Sequence, residues 1–398
     1  MVVPAAGTDA LDVLIVGAGP TGLTAGCLLA RPGRKVRIVR KHQAFAGHSR
    51  ATGIWPRALE ILASVGVVEE LESVGSRISR LGYYSSGESI GCFEMARLTD
   101  TRFDFLLAVS QHLTEAALEA AFLAAGGDLG DGAVTELDQD DRQVFVRVRS
   151  GGRDTSASAR YLIGADGANS TVRELLGIAM TDVGPTLSYR VADAVIKGLP
   201  EDEANYCWTP RGGMGIVPHD RDAYRLAYRL TPTSPDSSLA SFQRLLDERG
   251  PQPAQGTIEE LLATADFETR YAVADSFGAG RCYLAGDSAH VMSPAGAQGM
   301  NAGILDAAAL AWRLDACLNG APDDPLPSYD PERQHAIREI MKIGLEHSRD
   351  GSLRSPDEIA ERDRRYRDMW KDPVRHLEWV TRLSQLHLDT PDDGKEPA

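Results

Sequence analysis

The stretch "DVLIVGAGPTGLTAGCLLARPGRKVRIVRK", residues 12–41, constrains this chain more than any other. Leu11–Val16 is a short, nearly all-apolar run, the pattern of a parallel strand buried on both faces. Gly17, Gly19 and Gly22 follow at G-x-G-x-x-G spacing, then a helical stretch from about Thr21 to Arg31 that "RPG" stops. A second strand, "KVRIVR", comes next. In this strand–turn–helix–strand context each glycine has its own task. Gly17 permits the tight turn, Gly19 lets backbone approach a pyrophosphate, and Gly22 lets the helix close on the strand. Pro20 and Thr21 open the helix, whose free amides and positive end hold phosphate.

Length and charge set the outer bounds. At 398 residues the chain exceeds the usual size of one core, which predicts two intimately packed domains or one with a large insertion. The 42 basic and 57 acidic side chains give a net charge of −15, which repels nucleic acid and anionic membrane. Cys27, Cys92, Cys207, Cys282 and Cys317 are scattered without C-x-x-C spacing, so they read as reduced thiols with no disulfide framework and no metal site. "MVVPAAGTDA" lacks the basic and apolar regions of a signal peptide, and no apolar run approaches the ~18 residues of a membrane span. The expectation is a soluble, cytoplasmic protein, monomeric or homodimeric, with a small-molecule partner.

Two further stretches carry strand–turn–helix patterns. "ARYLIGADGANSTVRELLGI" (159–178) reads as a strand to Ala165, Asp166-Gly167, and a helix capped by Asn169 or Ser170. "RCYLAGDSAHVMSPAGAQGMNAGILDAAALAWRL" (281–314) reads as a strand to Ala285, Gly286-Asp287, a Pro/Gly loop and a long helix with one apolar face. With the first motif, these resemble the three signatures of the FAD-dependent aromatic hydroxylases, the single-component flavoprotein monooxygenases of the p-hydroxybenzoate hydroxylase type. The resemblance runs from Leu11 to about Ile340. "HSRATGIWPRALEIL" (48–62) is most similar to the branch acting on phenols and aromatic polyketides. That branch often carries a thioredoxin-like C-terminal domain, for which this chain is too short.

The resemblance implies FAD as cofactor, NADPH or NADH as a transient reductant, O2, and an electron-rich aromatic substrate hydroxylated through a flavin C4a-hydroperoxide. Epoxidation or Baeyer–Villiger insertion on the same fold stays open. It further implies that Gly286 and Asp287 meet the ribityl chain, that Gln111 does likewise, and that Arg50 reaches the pyrophosphate or flavin. Asp166 and Arg173 would order the groove shared by FAD and NAD(P)H. Gly299, Met300 and Asn301 would present helix amides to the pyrimidine edge of the flavin. Pro294 and Gly296 are the candidates beside the reacting atoms, with Trp55, Tyr224 and Ala295 as candidate substrate contacts. No residue is singled out as a base, though His48 and His290 qualify by position.

The second strand ends on Arg40, followed by Lys41, where the fingerprint wants an acid for the ribose hydroxyls. Arginine cannot accept a hydrogen bond. Three readings compete: Arg40 turns to solvent or to the adenine face, the site prefers a 2′-phosphate, or FAD binding has decayed in a non-catalytic relative. The Asp166 and Asp287 motifs argue against a plain NADP reductase. The first reading is preferred, at a loss of ~1.5–3 kcal/mol for the missing charge-assisted bond, and Arg40→Glu should then tighten FAD binding.

Between Thr186 and Ser276 the period changes to two. In "AYRLAYRLT" (223–231) Tyr224, Leu226 and Tyr228 share one face, and Arg225, Ala227 and Arg229 share the other, which is expected to be solvated. "ISRLGYYSSGESIGCFEM" (78–95) reads as a hairpin. The expected fold is α/β: a Rossmann-like FAD-binding domain of the three-layer ββα type (1–77, 96–185 and 277–350) with an inserted, mainly antiparallel β-sheet substrate domain (78–95 and 186–276). A C-terminal helical segment with a disordered tail (351–398) completes it.

Overall fold

The computed structural model describes residues 10–41, 51–219, 223–252, 256–321 and 324–388. Leu11–Val16 is a central strand with Val13–Val16 buried, as its unbroken apolar run requires. It pairs in parallel with Val36–Arg40 on one side and Arg153–Gly164 on the other. Asp128–Asp131 extends the sheet beyond Val36–Arg40, and Cys282–Leu284 extends it beyond Arg153–Gly164, both parallel. Val16, Arg40, Gly164 and Leu284 therefore end at one edge of the sheet, where ligands bind in open α/β folds. The helices Pro20–Leu29, Gln111–Ala124 and Gly299–Leu318 pack on one another, the first against both of the others. A meander of Ala133–Gln139 and Val144–Ser150 folds back on the first half of Arg153–Gly164.

The second sheet has seven strands. Their order is Thr257–Thr269, Leu187–Lys197, Ala223–Arg229, Gly212–His219, Glu203–Thr209, Arg80–Ser85 and Glu88–Glu94. Every pairing is antiparallel except that of Glu203–Thr209 with Arg80–Ser85, which belong to separate stretches of chain. Tyr224, Leu226 and Tyr228 pack with Phe242, Leu245 and Leu246 of the Leu239–Arg249 helix. The opposite face corrects the sequence reading at one position. Arg225, Ala227 and Arg229 line a cavity, and Arg229 is exposed as expected. Arg225 is buried, which its paired bonds from Nε and Nη2 to Asp193 (2.7 and 2.8 Å) make tolerable.

Three C-terminal helices follow: Tyr329–Asp350, Pro356–Lys371 and Pro373–Leu383. The last two pack against Glu88–Glu94, and Tyr366, Trp379 and Val380 join Tyr83, Phe93 and Trp208 in one apolar cluster. The tail expected to be disordered, residues 390–398, lies outside the described residues. Among the described residues no helix is long and apolar enough to cross a membrane.

Candidate functional site

Between the two sheets lies a cavity of about 2190 Å³, well above the roughly 300–1,000 Å³ of a usual ligand pocket and roomy enough for a dinucleotide beside a second molecule. Its wall brings together most of the residues singled out above. Gly17, Gly19, Pro20, Thr21, Arg40, Lys41, Gln111, Asp166, Asp287, Pro294, Ala295, Gly296, Gly299 and Met300 all line it. Arg50 and His48 lie outside the described residues.

Gly17 sits at φ +111°, and a Cβ there would strike the Ala165 backbone. Gly22 lies against the Gly17 carbonyl with no room for a side chain. Gly19, by contrast, has nothing within 4 Å of where its Cβ would stand, so backbone faces open cavity. The Pro20–Leu29 helix begins there with no side-chain cap and no acid in its first turn. The Gly299–Leu318 helix opens on the same cavity and is likewise uncapped and free of acids at its start. Two uncapped helix N-termini on one cavity favour anionic groups at both places. A pyrophosphate at the first and a negatively charged flavin edge at the second match that donor set.

Some predicted residues also tie the wall together from behind. Asp166 accepts from the Ser170 hydroxyl (2.5 Å) and from the Thr171 and Val172 amides (2.7 and 3.2 Å), and the Ser288 hydroxyl also donates to it (3.2 Å). Arg173 is buried and donates to the carbonyls of Ser288 (2.9 Å) and Ala168 (3.0 Å). The pair thus ties the 166–173 loop to the 286–288 turn. Gly286 donates its amide to Asp306 (2.9 Å), a wholly buried carboxylate also bonded to His290 (2.6 Å) and Arg333 (2.8 Å). Burial works to raise the Asp306 pKa, but His290, Arg333 and the Gly286 amide outweigh it and hold the carboxyl below its ordinary range. His290 is therefore committed to this network and does not line the cavity, which removes it as a base.

Two further expectations, Trp55 and Tyr224 as substrate contacts, are corrected. Trp55 is fully buried, its ring N–H donating to the Gly296 carbonyl (3.0 Å) and its amide to Asn301 Oδ1 (2.7 Å). Asn301 in turn donates to the carbonyls of Gly53 (2.9 Å) and Ala297 (2.7 Å), so its side chain clamps the 294–297 loop. Tyr224 lies in the core, its hydroxyl spent on the Leu199 carbonyl at 2.9 Å. Each is an aromatic or amide whose polar end found a backbone partner, as buried polar groups must.

Arg40 stands partly exposed at the cavity wall, held by two carboxylates. Its Nη1 donates to Glu119 of the Gln111–Ala124 helix (2.5 Å) and its Nε to Asp131 (3.2 Å). Glu119, Glu115 and Gln111 fall on one face of that helix and all line the cavity. Gln111 donates to Glu115 at 2.8 Å, and burial raises the Glu115 pKa.

On the opposite wall, Tyr206, Trp208 and His347 line the cavity. Tyr206 stacks on Tyr83 (centroids 4.9 Å apart, planes 17° apart) and tilts over His347 (4.7 Å). His347 donates Nδ1–H to the Ile343 carbonyl (2.9 Å), which leaves Nε2 to accept from the Tyr83 hydroxyl (3.1 Å). The Trp379 ring N–H donates to Tyr83 (3.2 Å) and completes the chain. Burial lowers the His347 pKa, so the ring is neutral. Sequence reasoning missed His347 and Glu119, which stand in no motif, and Asp306, which lies within the 281–314 stretch but well past its turn.

Across residues 10–343 the chain matches the family described as FAD binding domain, and it belongs to that family. It is a flavin-dependent monooxygenase with FAD as its cofactor. Over 348 residues it is 33% identical to 12-dehydrotetracycline 5-monooxygenase/anhydrotetracycline 6-monooxygenase of Streptomyces rimosus, covering 83% of this chain and 68% of that protein. Its fold matches p-nitrophenol 4-monooxygenase PnpA from Pseudomonas putida with a TM-score of 0.82 at 24% identity, over 95% and 99% of the two chains. OxyS anhydrotetracycline hydroxylase from Streptomyces rimosus matches with a TM-score of 0.76 at 27% identity, over 98% of this chain and 78% of that one.

Proposed function

We propose that the chain hydroxylates a phenolic or polyketide-like aromatic substrate with NAD(P)H and O2. The observation that supports this best is the pair of uncapped helix N-termini, at Gly19 and Gly299, opening on one cavity whose far wall is aromatic. Bound FAD would supply hydride acceptance and oxygen activation, chemistry that belongs to the cofactor.

The chain's own residues do the rest. The Gly17–Thr21 turn and helix start would hold the pyrophosphate, and Asp287 and Gln111 would take hydroxyls of the ribityl chain. The Gly299–Met300 amides would stabilise negative charge on the flavin edge. Glu119 replaces the missing strand-end acid at the adenosine ribose, with Arg40 acting through it as a positioning residue. Pro294, Ala295 and Gly296, fixed by Trp55 and Asn301, form the loop that separates flavin from substrate and excludes water. Tyr206 and Trp208 are the platform for the substrate ring. Tyr83 occupies Nε2 of neutral His347, so that imidazole orients Tyr206 rather than taking a proton.

Anaerobic mixing tests the reading. NAD(P)H should bleach the bound-flavin absorbance near ~450 nm, faster with a phenolic substrate present. A flavin that stays oxidised under both reductants would defeat it.

A further inference from the structure

Among the arginines that line the cavity, Arg211 and Arg229 come from the second sheet and its turn, Arg249 from the helix beside it, and Arg354 from the segment between the C-terminal helices. Arg249 ends the Leu239–Arg249 helix. Its Nη1 donates to the Gly213 carbonyl (3.3 Å), and its guanidinium lies 5.7 Å from the Tyr228 ring centroid. Its Nε is buried with no hydrogen-bond partner among the described residues. Gly212, at φ +134°, gives it space, since a Cβ there would stand 3.2 Å from Nη1. Among the described residues Arg229 donates to a hydroxyl, Ser352 Oγ at 3.4 Å, and Arg354 to the Leu353 carbonyl at 2.9 Å. Of the four, Arg211 has a carboxylate, Glu248 at 3.3 Å.

Among the described residues these four arginines share one ion pair, Arg211 with Glu248, in a chain whose net charge is −15. The general excess of acid makes the local shortage of counter-charge more telling. Burial, together with Arg354 and Arg211, pushes the Arg249 pKa down, and Glu248 offsets this in part. A like-charged group of this kind is unfavourable until an anion enters it. Planar guanidinium forks fit a carboxylate or a chelating enolate. Tyr206 and Trp208 line the same cavity and offer the flat partner for an attached ring.

We infer that Arg249, Arg354 and Arg229 bind an anionic oxygen group, a carboxylate or ionised enol, carried by the aromatic substrate. The inference rests on the proposed hydroxylase reading for the ring, and names the substrate class that reading leaves open. The phosphates of the nicotinamide reductant share the same anionic chemistry, so the test separates the two sources.

A hydroxynaphthoic acid and its primary amide serve as probes, followed by their own fluorescence anisotropy in FAD-saturated protein. The acid should bind about tenfold more tightly than the amide, the scale of one charge-assisted bond. Arg354→Gln and Arg249→Gln should each erode that preference while leaving amide binding and FAD retention unchanged. Arg354 is exposed and meets one backbone carbonyl, so its variant should fold even if that of Arg249 does not. No preference for the acid in the unaltered protein, or a preference that survives in Arg354→Gln and a folded Arg249→Gln, overturns the inference. A raised KM for NADPH with the acid preference intact assigns the anion to the dinucleotide and also overturns it. Because the probe itself fluoresces, a failure of flavin chemistry alone would be seen separately.

Discussion

Arg40 Nη1 stands 2.5 Å from Glu119 Oε2, joining the end of the second strand to the middle of the Gln111–Ala124 helix. With Asp131 on its other side, the arginine is held by two carboxylates at the cavity wall, where the proposed adenosine site lies. This alters what the sequence alone leads one to expect of Arg40→Glu. The substitution would set a third carboxylate beside Glu119 and Asp131 rather than supply a missing one. FAD affinity should fall, by about tenfold if one charge-assisted contact is lost, and Arg40→Glu with Glu119→Arg should recover it. Titration of apoprotein by flavin fluorescence measures both. Tighter binding in the single variant would refute the clasp.

Asp306 is the pin beneath the Gly286-Asp287 turn. Asp306→Asn leaves His290 and Arg333 buried without their anion, a change of the kind that costs about 3–5 kcal/mol. Urea unfolding should register the loss, and FAD should dissociate faster because Gly286 loses a fixed acceptor. An unchanged midpoint would mean that the three groups do not act together.

His347 makes stability depend on pH. Its pKa is depressed from 6.5 by burial, with Arg382 and Arg365 adding to the depression and the Ile343 carbonyl and Asp350 opposing it. The unfolded chain therefore binds a proton near 6.5 that the folded chain refuses. The contribution is complete above that pH and is lost as pH falls below it, by up to about 1.4 kcal/mol per unit. Denaturation midpoints between about pH 7.5 and 5.5 should decline, and less steeply in His347→Gln. Equal slopes would contradict a neutral buried imidazole.

Ala297 lies in the cavity loop at φ +53°, a left-handed conformation that side chains resist. Ala297→Gly should raise stability by roughly 1 kcal/mol, after allowing for the freer unfolded chain. A lower denaturation midpoint would show that the loop carries no such strain.

The parts legible in sequence were those where backbone does the work. Gly17, Gly19 and Gly22, the Asp166 and Asp287 turns, and the start of the Gly299 helix each follow from local spacing, because each is a demand on nearby backbone. Period two likewise separated Tyr224 and Leu226 from Arg225 and Arg229. It could not say that the arginine face meets a cavity, since alternation distinguishes two faces without identifying what covers them. Trp55 looked available for substrate, but its partner Gly296 is far along the chain. Glu119, His347 and Asp306 were hidden for the same reason: each acts through residues on other elements, and no local pattern records such a meeting.

The most direct test of the central claim is turnover of a phenolic acid by FAD-loaded protein with NAD(P)H under isotopically labelled O2. The account predicts a product carrying a single labelled oxygen on its ring, formed in step with reductant oxidation. Protein that holds no flavin, or that oxidises NAD(P)H with substrate present and never transfers labelled oxygen to the ring, would contradict it.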